Sequence, residues 1–223
     1  MIERRTEQEF LKDVYAHEMH VLFDNGINRH IMFKEPGTMN HHFSLITWPG
    51  YLCYTGDMGT YVFRRLEDMF EFFRTDREHM YLKSGQTLAI NPGYWGEKLE
   101  AVDKCDGYKE FSEDLFEAAV IGDLKYWLRD HLHQTTKEER RDLWDGVMSV
   151  VLGADGDGNG YRKTAAAFDF NHYVNKDIGN FYFMDFFEHT IHDYSYRFIW
   201  CCYALAWGIQ QYDESKTTIV EAA

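Results

Sequence analysis

The sequence predicts an α+β fold: an antiparallel β-meander of about four or five strands covered by helices, with a mostly helical C-terminal half. Three observations predict it. Between Arg29 and Phe63, short apolar runs rich in β-branched and aromatic residues alternate with turn signals. The connections between those runs are too short to hold a crossover helix, which excludes parallel pairing. After Ser112 the apolar period becomes helical, and strands followed by helices place the helices on one face of an antiparallel sheet.

Taken in order, Thr6-Glu7-Gln8-Glu9 has capping-box spacing, and Phe10, Val14, His17, Val21 and Leu22 follow at helical intervals until Asn25-Gly26. An amphipathic helix is expected across that span. Strands are expected at residues 31–34, 42–47, 51–54 and 60–63, separated by Glu35-Pro36-Gly37, Trp48-Pro49-Gly50 and Gly56-Asp57-Met58-Gly59. Residues 66–73 read as a short helix, and 99–102 as a strand returning to the sheet. One later helix carries Phe116, Val120, Leu124 and Trp127; a second carries Trp144, Val147 and Val151 behind a capping box from Thr136 to Glu139. The last element, about 194–212, places Phe198, Cys202, Leu205 and Ile209 on one stripe. With neither repeat nor linker, the chain reads as a single domain over 1–223, its helix-plus-sheet part about 1–110 and its helical part about 111–223.

A chain of 223 residues that is 45% hydrophobic and 27% charged is ordinary globular material. At this length the core carries the fold without disulfides or a structural metal. Cys53, Cys105, Cys201 and Cys202 lack metal or redox spacing, so buried reduced thiols are expected. The first ten residues have no apolar signal region, and the apolar run at 199–209 is too short for a bilayer. A cytoplasmic location without membrane contact follows. Net charge is −14, with no cluster of Lys and Arg to neutralise phosphates, so direct nucleic-acid binding is not expected and a basic partner surface is favoured.

Two long runs are specific enough to compare with known families: 43–63, reading FSLITWPGYLCYTGDMGTYVF, and 198–213, reading FIWCCYALAWGIQQYD. With Asn91-Pro92-Gly93-Tyr94-Trp95, they resemble a family of small accessory proteins of temperate bacteriophages and prophages. The resemblance implies a stand-alone protein of the host bacterial cytoplasm that binds and modulates a bacterial protein or complex. By analogy, a counter-defence inhibitor of anti-CRISPR or anti-restriction type is the specific expectation. It carries over no catalytic residue, covers under half of the chain, and does not extend to 131–180. The sequence leaves room for a homodimer.

Three groups of residues are candidate sites. Asp155, Asp157, Asn159 and Tyr161, with Gly160 at the bend, occupy positions of an EF-hand calcium loop, although Ala166 stands where the bidentate Glu belongs. Weak calcium binding is therefore the most such a loop could give, and no cofactor is otherwise expected. Glu188, His189, His192 and Asp193 form a mixed set with the chemistry of a divalent-metal site, which makes a metal-dependent enzyme the alternative function. Glu110, Glu113, Asp114, Glu117 and Asp123, followed by Glu138, Glu139 and Asp142, would present spaced negative charge to a basic partner if their helix faces adjoin. Nucleophile elbows, phosphate loops and dinucleotide fingerprints are missing from the sequence.

Overall fold

A computed structural model describes residues 6–79, 86–104, 107–156 and 158–221, and it has the α+β architecture. The chain divides into two compact units. The helical unit is Glu110–Asp193; the sheet unit comprises the described residues up to Lys109 and from Tyr194 onward.

In the sheet unit, the Thr6 hydroxyl accepts from the Glu9 amide at 3.3 Å while Glu9 Oε2 accepts from the Thr6 amide at 2.8 Å. This capping box starts α1, Glu7–Asp13. The expected helix then stops short, because Glu18–Asn25 is not helical but forms a strand, β1. The Asn25-Gly26 signal is a hairpin turn: Asn25 pairs with Asn28, and Gly26 takes a φ of 64° in the two-residue loop. Val21 and Phe23, both strand-favouring, pair with Ile31 and His30 across a bulge at Leu22.

The sheet continues through β2 (Asn28–Lys34), β3 (Phe43–Trp48), β4 (Tyr51–Gly56) and β5 (Gly59–Arg64). After α2 (Met69–His79) and α3 (Pro92–Gly96), β6 (Leu99–Ala101) pairs with β5 and completes six antiparallel strands in sequence order. The meander is thus one strand wider than expected, and the extra strand is β1. Its inner face follows the period of two: Ile31, Phe33, Phe43, Leu45, Leu52, Tyr54, Tyr61 and Phe63 are all fully buried.

The chain's last helix, Tyr196–Glu221, belongs to this unit and covers that face with Phe198, Trp200, Cys202 and Leu205. Ring contacts dominate the core, with Phe43 lying 4.7 Å from Phe33 and 5.7 Å from both Tyr54 and Trp200. Cys53, Cys201 and Cys202 are free thiols, and burial pushes each up in pKa. Cys105 lies outside the described residues.

In the helical unit, the strand β7 (Lys109–Phe111) leads to α4 (Glu113–Asp130), capped by Ser112 Oγ accepting from the Leu115 amide at 3.3 Å. The Thr136–Glu139 capping box opens α5 (Lys137–Gly146), which runs on into a π-helix, Val147–Leu152. Then come α6 (Tyr161–Asp169), the hairpin β8 (His172–Asn175) and β9 (Gly179–Phe181), a 3-10 turn at Phe186–Glu188, and β10 (His192–Tyr194), which pairs with β7. The Tyr196–Glu221 helix is α7. The unit has its own core, in which Phe116, Val120 and Leu124 of α4 meet Leu143, Val147, Phe170, Phe181, Phe183 and Phe186. No helix among the described residues is long and apolar enough to cross a membrane.

Candidate functional site

The structure distributes the carboxylates of α4 over two flanks of one helix. At about 100° per residue, Asp123 lies roughly a third of a turn from Glu117, with the buried stripe of Phe116, Val120 and Leu124 between them. Glu113 is held by Lys163 of α6, whose ammonium also donates to the Leu152 carbonyl at 3.1 Å. Asp114 and Glu117 are exposed on that flank, and Glu110 is exposed on β7. On α5, Glu139 is occupied in its capping box, Asp142 lies 3.3 Å from His172 Nε2, and Glu138 faces solvent. These carboxylates are thus spread over β7, two flanks of α4 and the first turns of α5, and Glu113, Glu139 and Asp142 are engaged within the chain.

The metal candidates separate in a similar way. Glu188 and His189 sit at the 3-10 turn and His192 on β10, and among the described residues no three His, Cys, Asp or Glu side chains gather as a metal-holding group. His189 instead donates through Nε2 to Asp123 Oδ2 at 2.8 Å, and its ring lies 5.3 Å from Phe186. Asp155 and Asn159 are exposed in the loop before α6 and Tyr161 is exposed at its first turn, while Asp157 lies outside the described residues.

What the structure does bring together is an open cleft of about 490 Å³ between α4 and the segment after β9. That volume falls within the ~300–1,000 Å³ of ordinary ligand pockets. Asp123, Tyr126 and Trp127 contribute from α4; Tyr182, Phe183 and Asp185 contribute from the facing segment. The floor is stiff: Phe181 and Phe183 are 5.1 Å apart, Phe183 and Phe186 5.5 Å, and Phe181 meets Trp127 edge-on at 5.3 Å. His131 stacks on Trp127 at 4.2 Å and is fixed there by its Nδ1 at 3.0 Å from the Trp127 carbonyl oxygen.

The segment 181–187 explains the rim. Phe181, Phe183 and Phe186 point into the core, whereas Tyr182, Met184 and Phe187 are 54%, 68% and 69% exposed. Large apolar side chains left in water beside a cleft are the usual mark of a surface that is covered by something else. Asp185 is one of two described non-glycine residues with positive φ, at 54°, and it precedes the 3-10 turn without making a side-chain cap. An aspartate at a helix start ordinarily spends its carboxylate on the first amides. Asp185 lines the cleft instead, its carboxylate free of any cap bond.

The chain matches no protein-family model, no curated protein and no solved structure.

The other left-handed residue, His41, lines a second concavity, in the sheet unit, with Lys12, Asp13, Glu35, Asn40 and Asp57. Asp13, His41 and Asp57 are engaged with groups around it. The His41 amide donates to Asp57 Oδ2 at 2.7 Å, His42 Nδ1 is 3.1 Å from Asp57 Oδ1, and His17 Nε2 donates to the His41 carbonyl at 3.0 Å. Asp13 accepts from Trp200 Nε1 at 3.0 Å. These bonds hold the loop between β2 and β3 in place.

Of the helical-unit cleft, the sequence marks only Asp123 as a candidate site residue, and Trp127 reads there as part of an apolar helix stripe. A signal was present in 181–187, where apolar residues fill six of seven places; 181–184 alternate sides as an extended chain does, and Phe186 returns to the core at the 3-10 turn. Reading it as a surface requires knowing that only one side of that segment meets α4.

Proposed function

We propose that this chain is a non-enzymatic binding protein that modulates a bacterial protein or complex, with the cleft and rim of its helical unit as the contact surface. The observation that carries the reading is the rim itself: Tyr126, Tyr182 and Met184 stand exposed around a cleft edged by Asp123 and Asp185, and Phe187 is exposed further along the same segment. Aromatic residues and methionine are the types enriched in interface cores, and charged residues at their margin select the partner. The resemblance of 43–63 and 198–213 to phage accessory proteins supports a bacterial host partner and a counter-defence role.

Charge supports a basic partner. Glu110–Asp193 carries 17 acidic against 8 basic residues, a net −9 of the chain's −14. The test is capture from nuclease-treated bacterial lysate by the wild-type chain and by a Tyr182→Ala/Phe187→Ala variant of equal thermal stability. The proposal expects a stoichiometric protein retained by the wild type and lost with the variant. Retention by both, or by neither across several hosts, contradicts it.

A further inference from the structure

We infer that the cleft of the helical unit is a receptor for a single cationic side chain, an arginine of the bound partner, and that this contact anchors the complex. The inference rests on the binding reading above and names its chemistry. A guanidinium is planar, weakly hydrated and permanently charged, so it gains from aromatic faces and from carboxylates together. The cleft offers both: Tyr126, Trp127, Tyr182 and Phe183 line it, with Asp123 and Asp185 among them.

The two carboxylates are differently prepared. Asp123 Oδ2 is taken by His189, which fixes the orientation of the group. The Asp185 carboxylate has no partner among the described residues, and its backbone is held in a conformation that aspartate adopts only at a cost. Of the cationic groups nearby, Arg129 lies over the Tyr126 ring at 5.3 Å, so this chain already places a guanidinium on one ring of the rim. His131 is pinned to Trp127 and covers one face of that ring, leaving Tyr182 as the exposed platform opposite α4.

Lysine would satisfy the charge but not the planar stacking, and a neutral isostere would satisfy the shape but not the charge. The experiment therefore titrates the full chain with N-acetyl-arginine methylamide and, separately, with the uncharged N-acetyl-citrulline methylamide. The indole N–H resonance of Trp127 is the readout, assigned by its loss in Trp127→Phe. The expected result is a saturable shift with the arginine probe at millimolar concentration and none with citrulline. Binding should weaken at least tenfold in Asp185→Asn and in Tyr182→Ala, and stay unchanged in Glu138→Gln, with all variants melting as the wild type does. Equal response to both probes, no saturable shift, or full binding by Asp185→Asn overturns the inference. If the probe fails while capture of a partner still depends on Tyr182 and Phe187, the cation site falls and the binding reading stands; loss of both outcomes removes both.

Discussion

Asp185 is the residue at which fold and function pull apart. A left-handed non-glycine residue costs on the order of 1 kcal/mol or more, and glycine removes that cost. Asp185→Gly is therefore expected to leave stability unchanged or raise it by up to about 1 kcal/mol while abolishing cation binding, measured by chemical denaturation beside the arginine titration. A merely structural Asp185 would give the opposite pattern. His17 supplies a second prediction at this scale. Burial lowers its imidazole from the usual 6.5, against a raising effect of the bond to the His41 carbonyl, with smaller electrostatic contributions from the neighbouring His41, Glu35 and His42. Between the lowered value and 6.5 the unfolded chain binds more protons than the folded one, so stability is lost as pH falls through 6.5. Denaturant midpoints between pH 7.5 and 5 should show that loss in the wild type and a shallower one in His17→Gln.

At the scale of elements, two helical glycines separate packing from propensity. A Cβ on Gly208 of α7 would meet Leu45 and Phe33 of the sheet at 3.1 Å, and both of those side chains are fully buried. A Cβ on Gly122 of α4 would meet nothing within 4 Å. Gly208→Val should destabilise by roughly 2–3 kcal/mol through overpacking, whereas Gly122→Ala should stabilise by up to about 1 kcal/mol. Thermal or urea unfolding of the two variants checks the sign of each. The sheet itself was legible from the sequence because its turns are written in local residues, Pro36-Gly37, Pro49-Gly50 and Gly56-Asp57, and because its strands alternate cleanly. The N-terminal segment was not, since Phe10, Val14 and Val21 fit a helical period. What decides between helix and strand there is pairing with β2, whose local trace is the Asn25-Gly26 turn, a signal that serves a helix end and a hairpin equally. The cleft was less legible still. Asp123 stood out as a carboxylate, but Tyr182 and Asp185 acquire their meaning only where the 181–187 segment lies against α4.

For the whole molecule, the division of charge matters more than its total. The helical unit holds net −9 and contains the cleft, so electrostatic attraction toward a basic partner acts where the contact forms. Exposed charges are screened over about 10 Å at 0.1 M salt. Association with the captured partner should therefore slow by tenfold or more between 50 and 500 mM salt, while dissociation, governed by the arginine seated in the cleft, changes far less. Surface-plasmon measurements at several salt concentrations separate the two rates; a salt-independent association rate would argue against steering by this unit. Whether the aromatic, acid-edged cleft of the helical unit seats an arginine can be seen in a crystal structure of the chain soaked in N-acetyl-arginine methylamide. The guanidinium should lie stacked on Tyr182 with its N–H groups on Asp185 and Asp123. An empty cleft in well-ordered crystals, or a guanidinium bound elsewhere with the cleft vacant, would contradict it.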